Sequence, residues 1–137
     1  MKTEETTYQY ENKNYIGFVA YPEKDLAPLI LIVHTWAGRD SFVQEKAKEL
    51  AELGYIAMAV DMYGEGRVGS STEENQSLMT PLVENRDQLK GIINSALTHG
   101  KSLNGVDVGK VAAIGYCFGG LVVLDLARSG TELNGVV

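Results

Sequence analysis

The sequence predicts a mostly parallel α/β sheet with helices on both faces, preceded by an N-terminal β-hairpin. Three observations favour this fold. Continuously apolar segments recur along the chain, amphipathic segments separate them, and the chain begins with two strand-like segments that are joined by a polar turn. The 137 residues, 45% of them hydrophobic, suit one domain over 1–137 and are too few for two ordinary domains. Because the chain stops in a strand, we expect the sheet to be incomplete at its C-terminal end.

The first half of the chain predicts a hairpin, a strand, a helix and a second strand. Residues 6–10 and 15–20 are rich in tyrosine, threonine and β-branched side chains, and a polar turn separates them. Residues 29–33 are apolar without alternation, which indicates a central strand buried on both faces. The spacing of Ser41 and Gln44 predicts a capping box for a helix that ends at Gly54. The second buried strand then covers 55–60.

The second half continues the same alternation. A Gly-rich loop at 64–69 is expected at the edge of a pocket, because it has no core pattern of its own. A short helix at 71–79 and a longer amphipathic one beyond Pro81 lead to Gly100. The remaining predicted elements are a third strand at 108–114, a helix at 118–127 and the start of a fourth strand at 135–137.

Charge, hydropathy and cysteine content argue against a nucleic-acid-binding, a membrane-spanning or a disulfide-bonded protein. Twelve basic against 18 acidic residues give a net charge of −6, which repels nucleic acid. The apolar runs, such as 29–33, are too short to span a membrane, and the N-terminus has no apolar leader. A single cysteine forms no intrachain disulfide. We therefore expect a cytoplasmic protein without nucleic-acid or membrane partners.

A strand-to-helix turn at 115–119 holds the residue expected to carry chemistry. Its sequence GYCFG fits G-x-nucleophile-x-G, in which small flanking residues allow a sharp turn that exposes the central side chain. Cys117 would lie at a helix N-terminus, which favours a thiolate. A lone cysteine is commonly a buried small hydrophobe, but this position favours a nucleophile. A dinucleotide-binding turn is disfavoured, because Cys117 replaces the second glycine of G-x-G-x-x-G.

Three segments resemble the dienelactone hydrolase family of the α/β-hydrolase superfamily in order and spacing. They are VAAIGYCFGGLVVLDLARSG at 111–130, AVDMYGEG at 59–66 and HTWAG at 34–38, of which GYCFGG is the specific signature. The resemblance implies an α/β-hydrolase fold and hydrolysis of a small-molecule ester or lactone. It also implies that Cys117 is the nucleophile and that the backbone N–H groups of Phe118 and Trp36 form the oxyanion hole.

Two positions depart from the pattern of this family. Its members commonly carry a glutamate directly after the first central strand, where this sequence has Thr35. The namesake enzyme holds a substrate carboxylate with arginines, for which only Arg67 and Arg86 are candidates here, so dienelactone itself is not the expected substrate. The residues expected to line the substrate pocket are His34, Thr35, Tyr63 and Arg67.

The sequence after Cys117 does not contain a triad acid and base. In this superfamily the nucleophile is followed by the acid and then by the histidine, whereas only Asp125 and Glu132 are acidic after Cys117 and no histidine follows. Asp125 falls within a predicted helix, so we interpret it as a packing or surface residue.

Residues before Cys117 offer few substitutes. His34 ends a central strand and is the one credible stand-in base, although hydrogen bonding to the loop backbone is the favoured interpretation. His99 is expected to complement a helix C-terminus, and Asp61 to bind local N–H groups.

Two hypotheses follow from these patterns. The first is an ester or lactone hydrolase that acts through a cysteine thiolate. The alternative is a truncated or non-catalytic module that lacks its histidine and aspartate and self-associates through an unpaired sheet edge, or only binds. No Cys/His/Asp/Glu cluster has metal-ligand spacing, so we predict no metal, and no cofactor is required.

Overall fold

A computed structural model describes all residues, 1–137, and shows one six-stranded sheet with four helices. The strand order is β1-β2-β4-β3-β5-β6; β1, β2 and β4 pair antiparallel, whereas β4, β3, β5 and β6 are parallel. The elements are β1 (Lys2–Tyr10), β2 (Lys13–Tyr21), β3 (Ala27–Val33), α1 (Ser41–Glu52), β4 (Ile56–Ala59), α2 (Thr72–Glu84), α3 (Arg86–Lys101), β5 (Val106–Gly115), α4 (Phe118–Arg128) and β6 (Gly135–Val136). The predicted mostly parallel α/β architecture is confirmed.

The N-terminal hairpin is confirmed, with longer strands than the sequence predicts. Only Glu11 and Asn12 connect β1 to β2, with φ angles of 48° and 64°. Two consecutive left-handed residues make a tight turn whose twist matches that of the paired strands. The pairing therefore runs without interruption from Tyr10 opposite Lys13 to Lys2 opposite Tyr21.

Helices cover the two faces of the sheet unequally. On one face, α3 and α4 pack over a core of 24 buried residues that includes Leu29, Leu31 and Val111. Each such side chain stabilises the fold by roughly 1.5–3 kcal/mol relative to exposure. On the other face, α1 packs over a smaller core that is rich in alanine, and Ile30 and Ile114 on the same face remain only partly buried.

Two predicted helix boundaries were wrong. The capping box of Ser41 with Gln44 does not form, because Asp40 is the extended residue before α1 and Ser41 already belongs to the helix. Pro81 does not separate two helices but lies inside α2. The break comes at Asn85 (φ −129°, ψ 82°), whose side chain accepts the N–H of Gln88 and so caps α3.

No helix is both long enough and apolar enough to cross a lipid bilayer.

Candidate active site

The candidate site lies where the three central parallel strands end. Strand register places Val33 at the end of β3 opposite Gly115 at the end of β5, and the end of β4 is next to β3 on its other side. The segments 34–40, 60–69 and 116–117 follow these strands at one edge of the sheet. This carboxyl edge is where open α/β sheets bind their ligands.

Cys117 forms a strained and exposed turn between β5 and α4. Its φ of 54° and ψ of −112° lie in a region that L-residues rarely adopt, and its side chain is exposed. Glycines on both sides permit the turn: a Cβ at Gly115 would lie 2.1 Å from the carbonyl oxygen of Gly119, and one at Gly119 would lie 2.2 Å from that of Val33. The same test at Gly120 meets nothing within 4 Å, so the third glycine is not required for the turn.

Two backbone N–H groups near this turn are without partners in the chain. The amide of Trp36 donates no hydrogen bond to backbone or side chain. Phe118 is the first residue of α4, so its amide has no partner within the helix and bonds to no loop residue. Unused donors from the strand-to-helix loop after β3 and from the residue after a nucleophile are the two parts of an α/β-hydrolase oxyanion hole.

His34 fixes the direction of the Trp36 amide. Its Nδ1 lies 2.6 Å from the carbonyl oxygen of Thr35, and its Nε2 accepts the N–H of Met62 at 3.0 Å. In a planar trans peptide the C=O and N–H point in opposite directions, so holding the Thr35 carbonyl beside the imidazole turns the Trp36 N–H away from it.

The expectation that His34 lines the substrate pocket was wrong. The side chain is 0% exposed, and both ring nitrogens bind backbone groups. Burial lowers the pKa of His34, which keeps the imidazole neutral. A ring with no free nitrogen and no access to solvent also cannot serve as a stand-in base.

Thr35 and Tyr63 complete the loop that carries Trp36. The Thr35 hydroxyl accepts the N–H of Ala37 at 3.2 Å, and its carbonyl accepts the N–H of Gly38 at the same distance. The Tyr63 hydroxyl donates to the carbonyl oxygen of Trp36 at 2.8 Å. The Trp36 ring itself packs partly buried against the main core.

The two arginine candidates have different surroundings. Arg67 is exposed and, with Lys13 and Tyr63, lines a cavity of about 220 Å³ beside the Gly-rich loop, in which Cys117 takes no part. Arg86 instead binds Asp125 through two hydrogen bonds of 2.6 and 2.8 Å. Hydrogen bonding to Arg86 lowers the pKa of Asp125, and Arg128 lies 3.6 Å away on the same carboxylate. Arg86 is therefore not free to hold a substrate.

Asp61 organises the Gly-rich loop from a fully buried position. Its Oδ1 accepts the N–H groups of Tyr63 and Gly64 at 3.0 and 2.9 Å, and its Oδ2 accepts those of Ile16 and Gly66 at 3.0 and 2.8 Å. Four amide donors occupy both carboxylate oxygens. Asp61 thus holds the loop in place.

Sequence reasoning missed Arg39, which ties the segment 34–40 to the hairpin. Its side chain is only 6% exposed; Nε donates to the carbonyl oxygen of Ile16 at 2.6 Å, and Nη2 donates to Glu5 at 2.7 Å. No local sequence pattern predicts this role, because Glu5 lies 34 positions before Arg39 and an arginine that follows a loop is normally exposed to solvent.

His99 lies on the α3 face of the hairpin. It occupies the last turn of α3, and its Nε2 lies 2.6 Å from the hydroxyl oxygen of Thr6 on β1. Burial lowers its pKa. Across the chain, no group of three or more His, Cys, Asp or Glu side chains is placed to hold a metal ion.

Comparisons with known proteins agree on one family. The family model described as "Dienelactone hydrolase family" matches residues 16–137. A putative carboxymethylenebutenolidase of Yersinia pestis is 26% identical over 97% of this chain and 51% of its own length. A carboxymethylenebutenolidase of Pseudomonas putida is 27% identical over 95% of this chain and 58% of its own length.

Solved structures show the same relationship. The structure titled m3DLH superposes with a TM-score of 0.94 at 31% identity and covers 98% of this chain, which in turn covers 57% of that protein. The chain therefore spans about half the length of the proteins that it matches.

Proposed function

The chain belongs to the dienelactone hydrolase family, with an α/β-hydrolase fold, and on that premise we propose that it hydrolyses an ester or lactone of a small molecule through the Cys117 thiolate. One observation carries the proposal. An exposed cysteine stands at a strained strand-to-helix turn, and two unpartnered amides flank that turn. A core cysteine needs neither the strain nor the exposure.

The proposed first step is acyl transfer to sulfur. The Cys117 thiolate attacks the carbonyl carbon, and the N–H groups of Trp36 and Phe118 donate to the oxyanion that forms. Collapse of this intermediate breaks the carbon–oxygen bond and leaves a thioester, and the released alkoxide takes a proton from water to become the alcohol. Addition of the resulting hydroxide to the thioester breaks the carbon–sulfur bond, releases the acid and regenerates the thiolate.

The second step needs a base, which we propose comes from outside residues 1–137. Both ring nitrogens of His34 are engaged, and His99 lies beside β1 at Thr6. Asp125 is bound to arginines and Glu132 is the only other acid after Cys117. A histidine and an acid from a longer chain would complete the triad, in the order usual for the superfamily.

An aryl acetate tests the first step without the second. We expect the chain to release one equivalent of p-nitrophenolate from p-nitrophenyl acetate and to gain one acetyl group on Cys117, as read by mass spectrometry. Cys117→Ala should lose this acylation completely, and Cys117→Ser should lose at least about 100-fold in rate, because an unassisted serine hydroxyl is a much weaker nucleophile than a thiolate.

Three results of this experiment have distinct meanings. Acetyl transfer to lysines at the same rate in Cys117→Ala would reject the cysteine nucleophile. Acylation without turnover would agree with a base supplied from elsewhere. Full turnover by residues 1–137 would refute the proposal that the base lies outside this range.

The sheet edge carries a further expectation about partners. β6 is a two-residue strand that pairs with β5. An unpaired edge strand offers N–H and C=O groups to another chain. Self-association through this edge stays a prediction, which sedimentation velocity tests, and so does a cytoplasmic location.

A further inference from the structure

We propose that Tyr63 is a positioning residue that sets the placement of the two oxyanion-hole amides relative to each other. The inference rests on the proposed function, since it assigns Tyr63 a task in an oxyanion hole that serves the proposed reaction. It follows from one side chain that contacts both amide-bearing residues.

Tyr63 holds Trp36 with its hydroxyl and Phe118 with its ring. The hydroxyl donates to the Trp36 carbonyl oxygen at 2.8 Å. The ring stacks on that of Phe118, with centroids 6.0 Å apart and planes 19° apart, and it lies 4.9 Å from the ring of His34. The ring of His34 also lies 6.0 Å from that of Phe118, but Tyr63 is the side chain that both packs on Phe118 and bonds to the Trp36 carbonyl, so it couples the two halves of the oxyanion hole.

Tyr63 is itself held firmly. Its backbone N–H donates to Asp61, and its side chain is only 5% exposed. Burial raises its pKa well above the ordinary tyrosine value, so the hydroxyl keeps its proton and remains a donor at neutral pH. Gly38 lets the loop after β3 pack closely on the segment 60–69 that carries Tyr63, since a Cβ there would lie 2.6 Å from the carbonyl oxygen of Arg67.

Two reactions of the same sulfur separate positioning from general disturbance. Acylation by p-nitrophenyl acetate forms a carbon–sulfur bond, passes through an oxyanion and expels p-nitrophenolate. Alkylation by iodoacetamide forms a carbon–sulfur bond and expels iodide in one displacement, without an oxyanion. A residue that positions the amides affects the first rate constant and leaves the second unchanged.

Tyr63→Phe is the variant to test, because it removes the hydroxyl and keeps the stacked ring. We expect the acylation rate constant of Cys117 to fall about ten-fold, which corresponds to the loss of one hydrogen bond near the reacting group. The alkylation rate constant should stay within about two-fold of wild type. Tyr21→Phe is the matched control, since it also loses a 2.8 Å hydroxyl bond, to Glu4, at a place remote from the site.

Each outcome decides between positioning and its alternatives. Equal acylation by wild type and Tyr63→Phe would overturn the inference and leave the proposed function intact. Parallel losses of acylation and alkylation would show that the whole turn moves, which also overturns it. A wild-type chain that is not acylated at all would overturn the proposed function and this inference together.

A second variant guards against misfolding of the first. Tyr63→Met also lacks the donor but fills the site with a flexible apolar chain. Its acylation should fall at least as far as that of Tyr63→Phe, because the stacked ring is lost as well. Unfolding of both variants, seen as loss of near-UV circular dichroism, would mark Tyr63 as a core residue and overturn the positioning role.

Discussion

The segments that follow β3, β4 and β5 at the same edge of the sheet differ in how their backbone amides are bonded. In the loop after β4, the buried Asp61 carboxylate accepts three N–H groups of the loop and a fourth from Ile16 of β2, so every one of these donors is satisfied. In the loop after β3 and the turn after β5, the amides of Trp36 and Phe118 donate to nothing in the chain. The saturated loop supplies Tyr63, which holds the unsatisfied pair. The loop with satisfied donors thus supports the two segments whose amides are free.

Backbone strain at Cys117 also marks the turn after β5. Cys117 has a positive φ without being a glycine, which costs on the order of 1–3 kcal/mol. The neighbouring chain retains it through backbone bonds that cross the turn, in which Tyr116 donates to Val33 at 3.2 Å and Gly119 donates to Tyr116 at 2.9 Å. The strained backbone of Cys117 therefore persists because the hydrogen bonds of its two neighbouring segments hold the turn in one conformation.

Gly119→Ala should break the turn and gives the largest expected effect. The added Cβ would lie 2.2 Å from the backbone oxygen of Val33 and 2.7 Å from that of His34, and neither can move without shifting the end of β3. We expect a loss of about 4 kcal/mol or more in the free energy of unfolding, or no folded protein. Urea unfolding followed by circular dichroism measures it.

Gly120→Ala is the matched control one residue later. Its Cβ meets nothing within 4 Å, and the position lies inside α4. Alanine should therefore stabilise the protein by about 0.5–1 kcal/mol, the ordinary preference of a helix for alanine over glycine. Equal effects of the two substitutions would mean that the tight contact between α4 and β3 does not exist in solution.

Asp61→Ala should loosen the saturated loop, with the second largest effect. Up to four N–H groups, two of them in buried bonds and two in partly buried ones, lose their acceptor, which we expect to destabilise the fold by about 3 kcal/mol. Asp107→Ala is the control, because Asp107 accepts a single exposed N–H, from Gly109, and its loss should stay within about 0.5 kcal/mol. If Asp61→Ala unfolds at the same urea concentration as Asp107→Ala, the four hydrogen bonds to Asp61 contribute nothing to the free energy of unfolding.

The contrast between the loops also separates what the sequence predicted from what it did not. The central strands and the turn at Cys117 were predictable, because continuous apolar runs and the G-x-C-x-G spacing are local signals. The bond from Arg39 to Glu5 and the contact of Tyr63 with Phe118 join residues far apart in sequence, and no local pattern encodes them. The predicted helix break at Pro81 was wrong because a proline is only a local helix-breaking signal, whereas the chain breaks at Asn85, where α2 ends and α3 is capped.

His34 links the saturated and unsatisfied loops, and its titration gives the smallest predicted effect. Its Nε2 accepts from Met62 in the Asp61 loop, and its Nδ1 holds the Thr35 carbonyl whose peptide carries the free Trp36 amide. Burial lowers the pKa of His34 below its usual 6.5, so at slightly acidic pH the unfolded chain binds a proton that the folded chain does not. The titration of His34 should therefore leave the free energy of unfolding unchanged above about pH 6.5 and should lower it as the pH drops below that value.

Replacing the titrating ring with an amide isolates this contribution. In His34→Gln one donor and one acceptor remain but no proton can be taken up, so the loss of unfolding free energy between pH 7.5 and 5.5 should shrink by about 1 kcal/mol. His99→Gln is the companion, because burial also lowers the pKa of His99 but its bond goes to Thr6 rather than to the site. Both variants should flatten the pH dependence of stability, whereas only His34→Gln should change the acylation rate of Cys117. A His34→Gln variant as acid-sensitive as wild type would show that the imidazole binds its proton as readily in the folded protein as in the unfolded chain, and the neutral ring that holds the Thr35 carbonyl would then not be maintained at pH 5.5.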